Sequence, residues 1–271
     1  MATREDILVE LGLTPTWRRR GAGGTLPAAE AAMARTLGAE APETLLASSL
    51  AEQELFAASV RVKPADEALR GARIAALSWA DFDADVDACN ACGLCRTRNK
   101  SVPGIGDVNA EWLFVGEAPG ADEDARGEPF VGQAGRLLDN MLAALGLARG
   151  HNVYIANVLK CRPPNNRTPE PRETDACRAY LERQVALIKP KLIVALGKSA
   201  ASLLLDTDAT ISSLRGRVHQ YRDVPLVVTY HPAYLLRNLP DKVKAWEDML
   251  LARRTVAKQH RELEAALLPS P

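Results

Sequence analysis

Four short runs along this chain are almost wholly apolar: Trp112-Leu113-Phe114-Val115, Val153-Tyr154-Ile155-Ala156, Leu192-Ile193-Val194-Ala195-Leu196 and Leu226-Val227-Val228-Thr229. A strand with one wet face alternates apolar and polar positions. Runs without alternation suit parallel strands covered by helices on both faces. Longer stretches of helical pattern lie between and after them, at about 134–145, 171–188, 198–205 and 241–259. Short strands alternating with helices predict an α/β fold whose central four-stranded parallel sheet is flanked by helices.

The pattern starts only near residue 81, where Ser78 followed three residues later by Asp81 resembles a capping box that opens a short helix. Residues 1–80 are alanine-rich and poor in aromatics, and they read as an N-terminal extension, helical or partly disordered, with few large groups to bury. The expected organisation is therefore an extension over 1–80, a single domain over 81–260 and a tail over 261–271.

Composition narrows the class without naming it. Hydrophobic residues at 47% and charged residues at 25% of a 271-residue chain are globular values. Lys plus Arg equals Asp plus Glu, 34 each, so no global field announces a polyanionic partner, although a local basic groove would leave that balance unchanged. No apolar run reaches transmembrane length and the first residues lack the order of a secretion signal, so a cytoplasmic monomer away from membranes is expected.

In an open parallel sheet, ligands bind beyond the carboxyl ends of the strands. There the first strand runs into Gly116-Glu117-Ala118-Pro119-Gly120, the second into Asn157 and the fourth into Tyr230-His231-Pro232. A carboxylate, an amide and an imidazole brought to one edge can recognise a polar ring and hydrolyse a bond to it. Taken singly, each has an ordinary meaning: a helix-start acid, a turn amide, a structural histidine. Their shared placement is the signal. Gly197-Lys198-Ser199 ends like a phosphate loop, but Leu192 stands where that motif needs its first glycine; the segment reads as a strand-to-helix turn whose N-terminus offers itself to a phosphate group. Arg18-Arg19-Arg20 reads as a solvated charge run.

Cysteines carry a second signal. Cys89, Cys92 and Cys95 fall within a short span, and Cys161 and Cys177 flank a Pro-rich loop and a helix start. Four thiolates with a C-x2-C suit a structural zinc or a [4Fe-4S] cluster, and spacing alone does not choose. A ferredoxin-like run through Cys95 lacks its expected fourth cysteine and following proline.

Two longer motifs point to a family. Gly116-Glu117-Ala118-Pro119-Gly120-Ala121-Asp122-Glu123-Asp124, continued by Gly127-Glu128-Pro129-Phe130-Val131-Gly132-Gln133-Ala134-Gly135, resembles the first motif of the family 4 uracil-DNA glycosylases. His231-Pro232-Ala233-Tyr234-Leu235-Leu236-Arg237-Asn238 resembles their second, and Asn157-Val158-Leu159-Lys160-Cys161-Arg162-Pro163-Pro164 their central segment. The resemblance covers about 88–238 and leaves the first 80 residues and Cys95 outside.

That resemblance implies a three-layer uracil-DNA glycosylase-like fold and hydrolysis of the bond between uracil and deoxyribose in uracil-containing DNA. It implies Glu117 as the residue that orients water and offsets sugar charge, and His231 as the one that stabilises the departing uracil. It places Ala118, Glu123, Phe130, Asn157 and Leu235 with the substrate: Phe130 stacking on the flipped ring, Asn157 reading its edge, Glu123 crowding the 5-position, Leu235 wedging into the base stack. It implies a [4Fe-4S] cluster on Cys89, Cys92, Cys161 and Cys177, tying down the loop so that Lys160 and Arg162 lie near DNA. No lysine stands in the two catalytic motifs, so no lyase step is expected. The competing functions are a covalent uracil-DNA binder, disfavoured by the lack of histidine from Cys161 to Thr174, and a non-catalytic iron-sulfur DNA-binding protein.

Overall fold

The computed structural model describes residues 64–267. Most of the expected N-terminal extension, 1–63, and residues 268–271 lie outside the described residues. Numbering elements among the described residues, helices α1 (Pro64–Ala75) and α2 (Trp79–Asp87) lead into a 3₁₀ turn over Gly93–Arg96. Then come β1 (Ile105–Gly106), β2 (Trp112–Gly116), α3 (Ala121–Arg126), α4 (Gln133–Ala144), β3 (Val153–Asn157) and α5 (Pro171–Ile188). The chain ends with β4 (Leu192–Leu196), α6 (Lys198–Leu205), α7 (Ile211–Leu214), β5 (Val218–Tyr221), β6 (Val224–Thr229), α8 (Pro232–Leu235) and α9 (Lys242–Leu267).

All four apolar runs are strands, mutually parallel, in the spatial order β3-β2-β4-β6. Their side chains alternate between two buried layers. Leu113, Val115, Tyr154, Ile193 and Ala195 pack with Leu181, Val185 and Ile188 of α5 and Leu204 of α6. Trp112, Phe114, Ile155, Leu192 and Val194 pack with Leu138 and Leu142 of α4 and Met249, Ala252 and Val256 of α9. Both faces of the sheet are thus covered, which is why the runs show no alternation.

The sheet is wider than the four expected strands. β1 pairs antiparallel outside β3, and β5 antiparallel outside β6, giving six strands. Both edges escape a hydrophobic reading for physical reasons. β1 is two residues long and includes Gly106, at φ 142, where a Cβ would meet the Val153 carbonyl oxygen at 2.3 Å. β5 is Val-His-Gln-Tyr, mostly solvent-facing, and joins β6 through Arg222 and Asp223, both at positive φ as a tight hairpin turn requires.

Two expected boundaries also move. The last helix runs through 260 to Leu267. α1 lies inside the expected extension, yet its Ile74 is fully buried with Phe82, Val86 and Tyr180. Ser78 does stand before α2, but its hydroxyl donates to the Asp81 carboxylate (2.6 Å) rather than accepting from a backbone N–H.

Candidate active site

Parallel strands aim their carboxyl ends at one edge of the sheet, and a cavity of about 540 Å³ opens there. Its walls include Glu117 and Ala118 after β2, Asn157 at the end of β3 and His231 after β6, joined by Glu123, Phe130, Asn166, Arg167, Tyr234 and Arg237. Of the seven residues the sequence assigned to catalysis or substrate, six line this one cavity.

His231 is held by local rules. It is the N-cap of α8, and its Nδ1 accepts from the Ala233 backbone N–H at 3.1 Å. Burial, and secondarily the Arg237 charge, push its pKa from 6.5 down to about 4. A neutral imidazole whose Nδ1 accepts must carry its proton on Nε2. The ring is therefore a fixed single donor. Gly197, directly after β4, permits this placement: at φ +93 it lacks a Cβ, which would stand 2.9 Å from the His231 Cβ.

Phe130 stacks beside His231 with ring centroids 5.5 Å apart and planes at 28°. Its backbone sits at φ 56, a strained region for a bulky residue, so the surroundings must impose it. Arg149 does so: its guanidinium donates to the carbonyls of Pro129 (2.8 Å) and Phe130 (2.9 Å) while paired with Asp139 at 2.9 Å. Gly135 completes the fit, since a Cβ there would collide with the Phe130 carbonyl at 1.7 Å. Neither Arg149 nor Asp139 carries a motif signature, because they act through the backbone of a residue distant in sequence.

Asn157 is almost completely buried, and its side chain lies over Gly116, where a Cβ would be 2.3 Å from Oδ1. Behind it, Lys160 donates to the Asn157 carbonyl (2.7 Å) and to Gln184 Oε1 (2.5 Å). Lys160 is 1% exposed, and burial lowers its pKa to about 8. The expectation that Lys160 lies near DNA is therefore corrected: it is an internal brace, its charge directed at carbonyl dipoles that a linear reading does not reveal.

Glu117 is half-buried; desolvation raises its pKa, partly offset by a hydrogen bond from Ser199. Glu123 spends its carboxylate on backbone, accepting from Gly120 N (3.1 Å) and Val131 N (3.1 Å), which fixes the two loops that frame the cavity. Arg167 is clamped by both oxygens of Glu173, at 2.9 and 2.6 Å, and closes another wall.

Leu235 is the seventh assigned residue, and here the sequence expectation is corrected. It is 1% exposed and packed with Tyr230 and Ala245 beneath α8, so it does not project as a wedge. Its neighbour Leu236 is 39% exposed, because one step along a helix rotates a side chain to another face. Under the activity that the sequence resemblance implies, Leu236→Ala is expected to slow base release from duplex DNA by roughly tenfold, ~1.4 kcal/mol, and to leave single-stranded DNA nearly unaffected. Leu235→Ala instead opens a core cavity, costing about 2–5 kcal/mol of stability in a melting experiment.

A second cavity gathers the thiols. Cys89, Cys92, Cys95, Cys161 and Cys177 all line it, with Arg98, Lys160 and Tyr180. Arg98 donates to Cys161 Sγ (2.8 Å), and the Lys160 backbone N–H to Cys177 Sγ (3.3 Å). Burial raises the Cys161 and Cys177 thiols to about 11 and 12. Among the described residues no group of three or more metal-ligating side chains closes around a single ion. Cys95 lines the same wall as the others, so placement alone does not set it apart. The two cavities share the segment from Asn157 to Pro163, which supplies Cys161 to one and Pro163 to the other.

The parallel strands at the centre of the sheet thus open at their carboxyl ends onto one cavity, and the chain matches the uracil DNA glycosylase superfamily over residues 103–250. It is 49% identical over 164 residues to a type-4 uracil-DNA glycosylase of Archaeoglobus fulgidus, covering 58% of this chain and 82% of that protein. It is 43% identical over 178 residues to a type-4 uracil-DNA glycosylase of Thermotoga maritima, covering 64% of this chain and 92% of the relative. Similarity to a type-5 uracil-DNA glycosylase of Thermus thermophilus is 35% over 137 residues, covering 45% and 60%. The chain belongs to the uracil-DNA glycosylase superfamily. Within it, the chain is a member of the type-4 family.

Proposed function

We propose that this protein is a monofunctional uracil-DNA glycosylase of base excision repair, acting as a cytoplasmic monomer that flips uracil from DNA and hydrolyses its glycosidic bond. The observation that carries the reading is the gathering of Glu117, Phe130, Asn157 and a neutral His231 around one cavity.

The division of labour follows from the side chains. Phe130 offers a ring face to the extruded base, and Asn157 offers an amide that both donates and accepts, as the O4 and N3–H edge of uracil requires. The glycosidic bond breaks toward an electron-poor sugar and an electron-rich base. His231, fixed as a neutral Nε2–H donor, meets the charge that develops on the leaving uracil without charge reorganisation. Glu117 orients the attacking water and offsets the positive sugar. Ala118 lends the cavity its small wall beside Glu117, and Glu123 holds the loop that closes on the 5-position. Leu236 fills the space the base leaves, and the exposed Arg237 lies on the DNA side.

The cluster belongs to the same proposal. Five thiols line one cavity, and the resemblance to the family 4 enzymes makes a [4Fe-4S] cluster, rather than a lone zinc ion, the group they would hold. Cys89, Cys92, Cys161 and Cys177 would hold it, and when bound it supplies a rigid cross-link between the segment before β1 and the loop after β3. Cys161→Ala should yield colourless, poorly folded protein, whereas Cys95→Ala should retain iron; iron analysis of both variants checks the ligand set.

The direct test is release of free uracil from uracil-containing oligonucleotides by the holoprotein, with an abasic product. Absence of free uracil overturns the proposal, and a protein–DNA band stable to denaturing electrophoresis would replace it with covalent trapping.

A further inference from the structure

Helix α1 lies outside residues 103–250, yet its Arg70 reaches two residues that line the thiol cavity. Arg70 Nη2 donates to Cys89 Sγ at 3.6 Å, and the guanidinium lies over the Tyr180 ring with its carbon 5.2 Å from the centroid. Tyr180 also lines that cavity, and its hydroxyl donates to Asp85 Oδ1 at 2.6 Å. One turn along α1, Arg73 forms an ion pair with Asp85. Ile74 of the same helix is buried among Phe82, Val86 and Tyr180, with Cys89 and Cys177 packed against the same cluster. Beyond the helix, the Leu77 carbonyl accepts from Arg183 Nε of α5 at 2.6 Å.

We propose that α1 is a cap on the cluster site, with Arg70 as a positioning residue that donates to the Cys89 thiolate and keeps solvent and chelating solutes from it. The inference rests on the [4Fe-4S] reading above. Several independent contacts converge on it: an apolar anchor, an ion pair, a cation–ring contact and a hydrogen bond to sulfur. The guanidinium serves two purposes here. Its N–H groups neutralise part of the charge on a thiolate ligand, and its plane covers the aromatic edge of the cavity. A hydrogen bond and a positive charge at a ligand sulfur stabilise the more negative reduced state and so raise the reduction potential of an iron-sulfur group, and loss of the Arg70 guanidinium should lower it. Arg98 makes the corresponding contact to Cys161 from within the segment after the 3₁₀ turn. Arg70 differs in coming from a helix that begins well before the cysteines, which gives part of the sequence ahead of residue 81 a task at the cluster.

The experiment compares full-length holoproteins: wild type, Arg70→Gln, Arg70→Lys and Arg73→Gln, with Leu69→Gln as a control on the exposed side of the same helix. The readouts are loss of visible cluster absorbance in excess iron chelator without oxygen, the reduction potential, and uracil release by freshly loaded protein. Arg70→Gln should lose its cluster on the order of tenfold faster and show a lower potential, with initial uracil release unchanged. Arg70→Lys, which keeps the charge over Tyr180, should recover most of the difference. Arg73→Gln loosens the helix from Asp85 but touches no thiol, so it should speed cluster loss while leaving the potential in place; this milder variant decides the matter should Arg70→Gln not accumulate. Wild-type rates and potentials in both Arg70→Gln and Arg73→Gln would overturn the cap while leaving the cluster intact. A wild-type protein without iron would overturn the cluster reading, and the cap with it.

Discussion

His231→Ala lowers the single-turnover rate of uracil release by roughly 10² to 10³, equivalent to about 2.7–4 kcal/mol, while DNA binding is retained. The size follows from the geometry. A preorganised donor aimed at a developing anion gains most where water is displaced, and the His231 imidazole is partly buried and fixed in tautomer by the Ala233 N–H. The pH dependence carries a sign. With a folded pKa of about 4 against the ordinary 6.5, the ring is neutral at physiological pH, so this donor contributes no inflection to the rate between pH 5 and 8. A folded pKa below the unfolded one also means that stability is fully present above 6.5 and declines as pH falls toward 4, where the unfolded chain takes up the proton first. Single-turnover rates within about tenfold of wild type would remove His231 from this role, since that lies below the range for such a donor.

The second large effect is expected at Asn157. Asn157→Asp should reduce uracil excision by roughly 10² to 10³, because an ionised carboxylate cannot donate to O4 and an unpaired buried charge costs about 3–5 kcal/mol. Any residual preference should move toward cytosine, whose exocyclic amino group donates where uracil accepts. Phe130 stacking does not repair the loss, since a ring face is indifferent to edge chemistry. Excision from matched uracil and cytosine oligonucleotides by both proteins measures it. Unchanged uracil excision would transfer base reading to Asn166, which lines the same cavity on the Pro-rich loop and accepts from Arg162 Nε at 2.7 Å.

These two residues are legible because Asn157 closes one apolar run and His231 stands just beyond another. Uninterrupted apolar runs of this length suit buried parallel strands, and parallel strands put the residues at their carboxyl ends on one edge, which joins Glu117, Asn157 and His231 from the sequence alone. What failed was information not carried along the chain. The edge strands were missed because an edge makes half its contacts with water and shows no apolar period. Leu235 and Leu236 are equivalent by composition, and only the packing of α8 on Tyr230 and Ala245 decides which one is buried. A lysine in a DNA-facing motif reads as a phosphate contact until tertiary structure places the Asn157 carbonyl and Gln184 around it.

The sequence by itself therefore determined the four central strands and the edge at which the cavity forms, since strand burial is a local and periodic property. Tertiary structure alone decided the His231 tautomer, the Arg149 clamp on Phe130, the exposed leucine and the reach of Arg70 to Cys89. Each of these depends on a contact between segments far apart in the chain, where the identity of one partner says nothing about the other until folding brings them within a few ångströms.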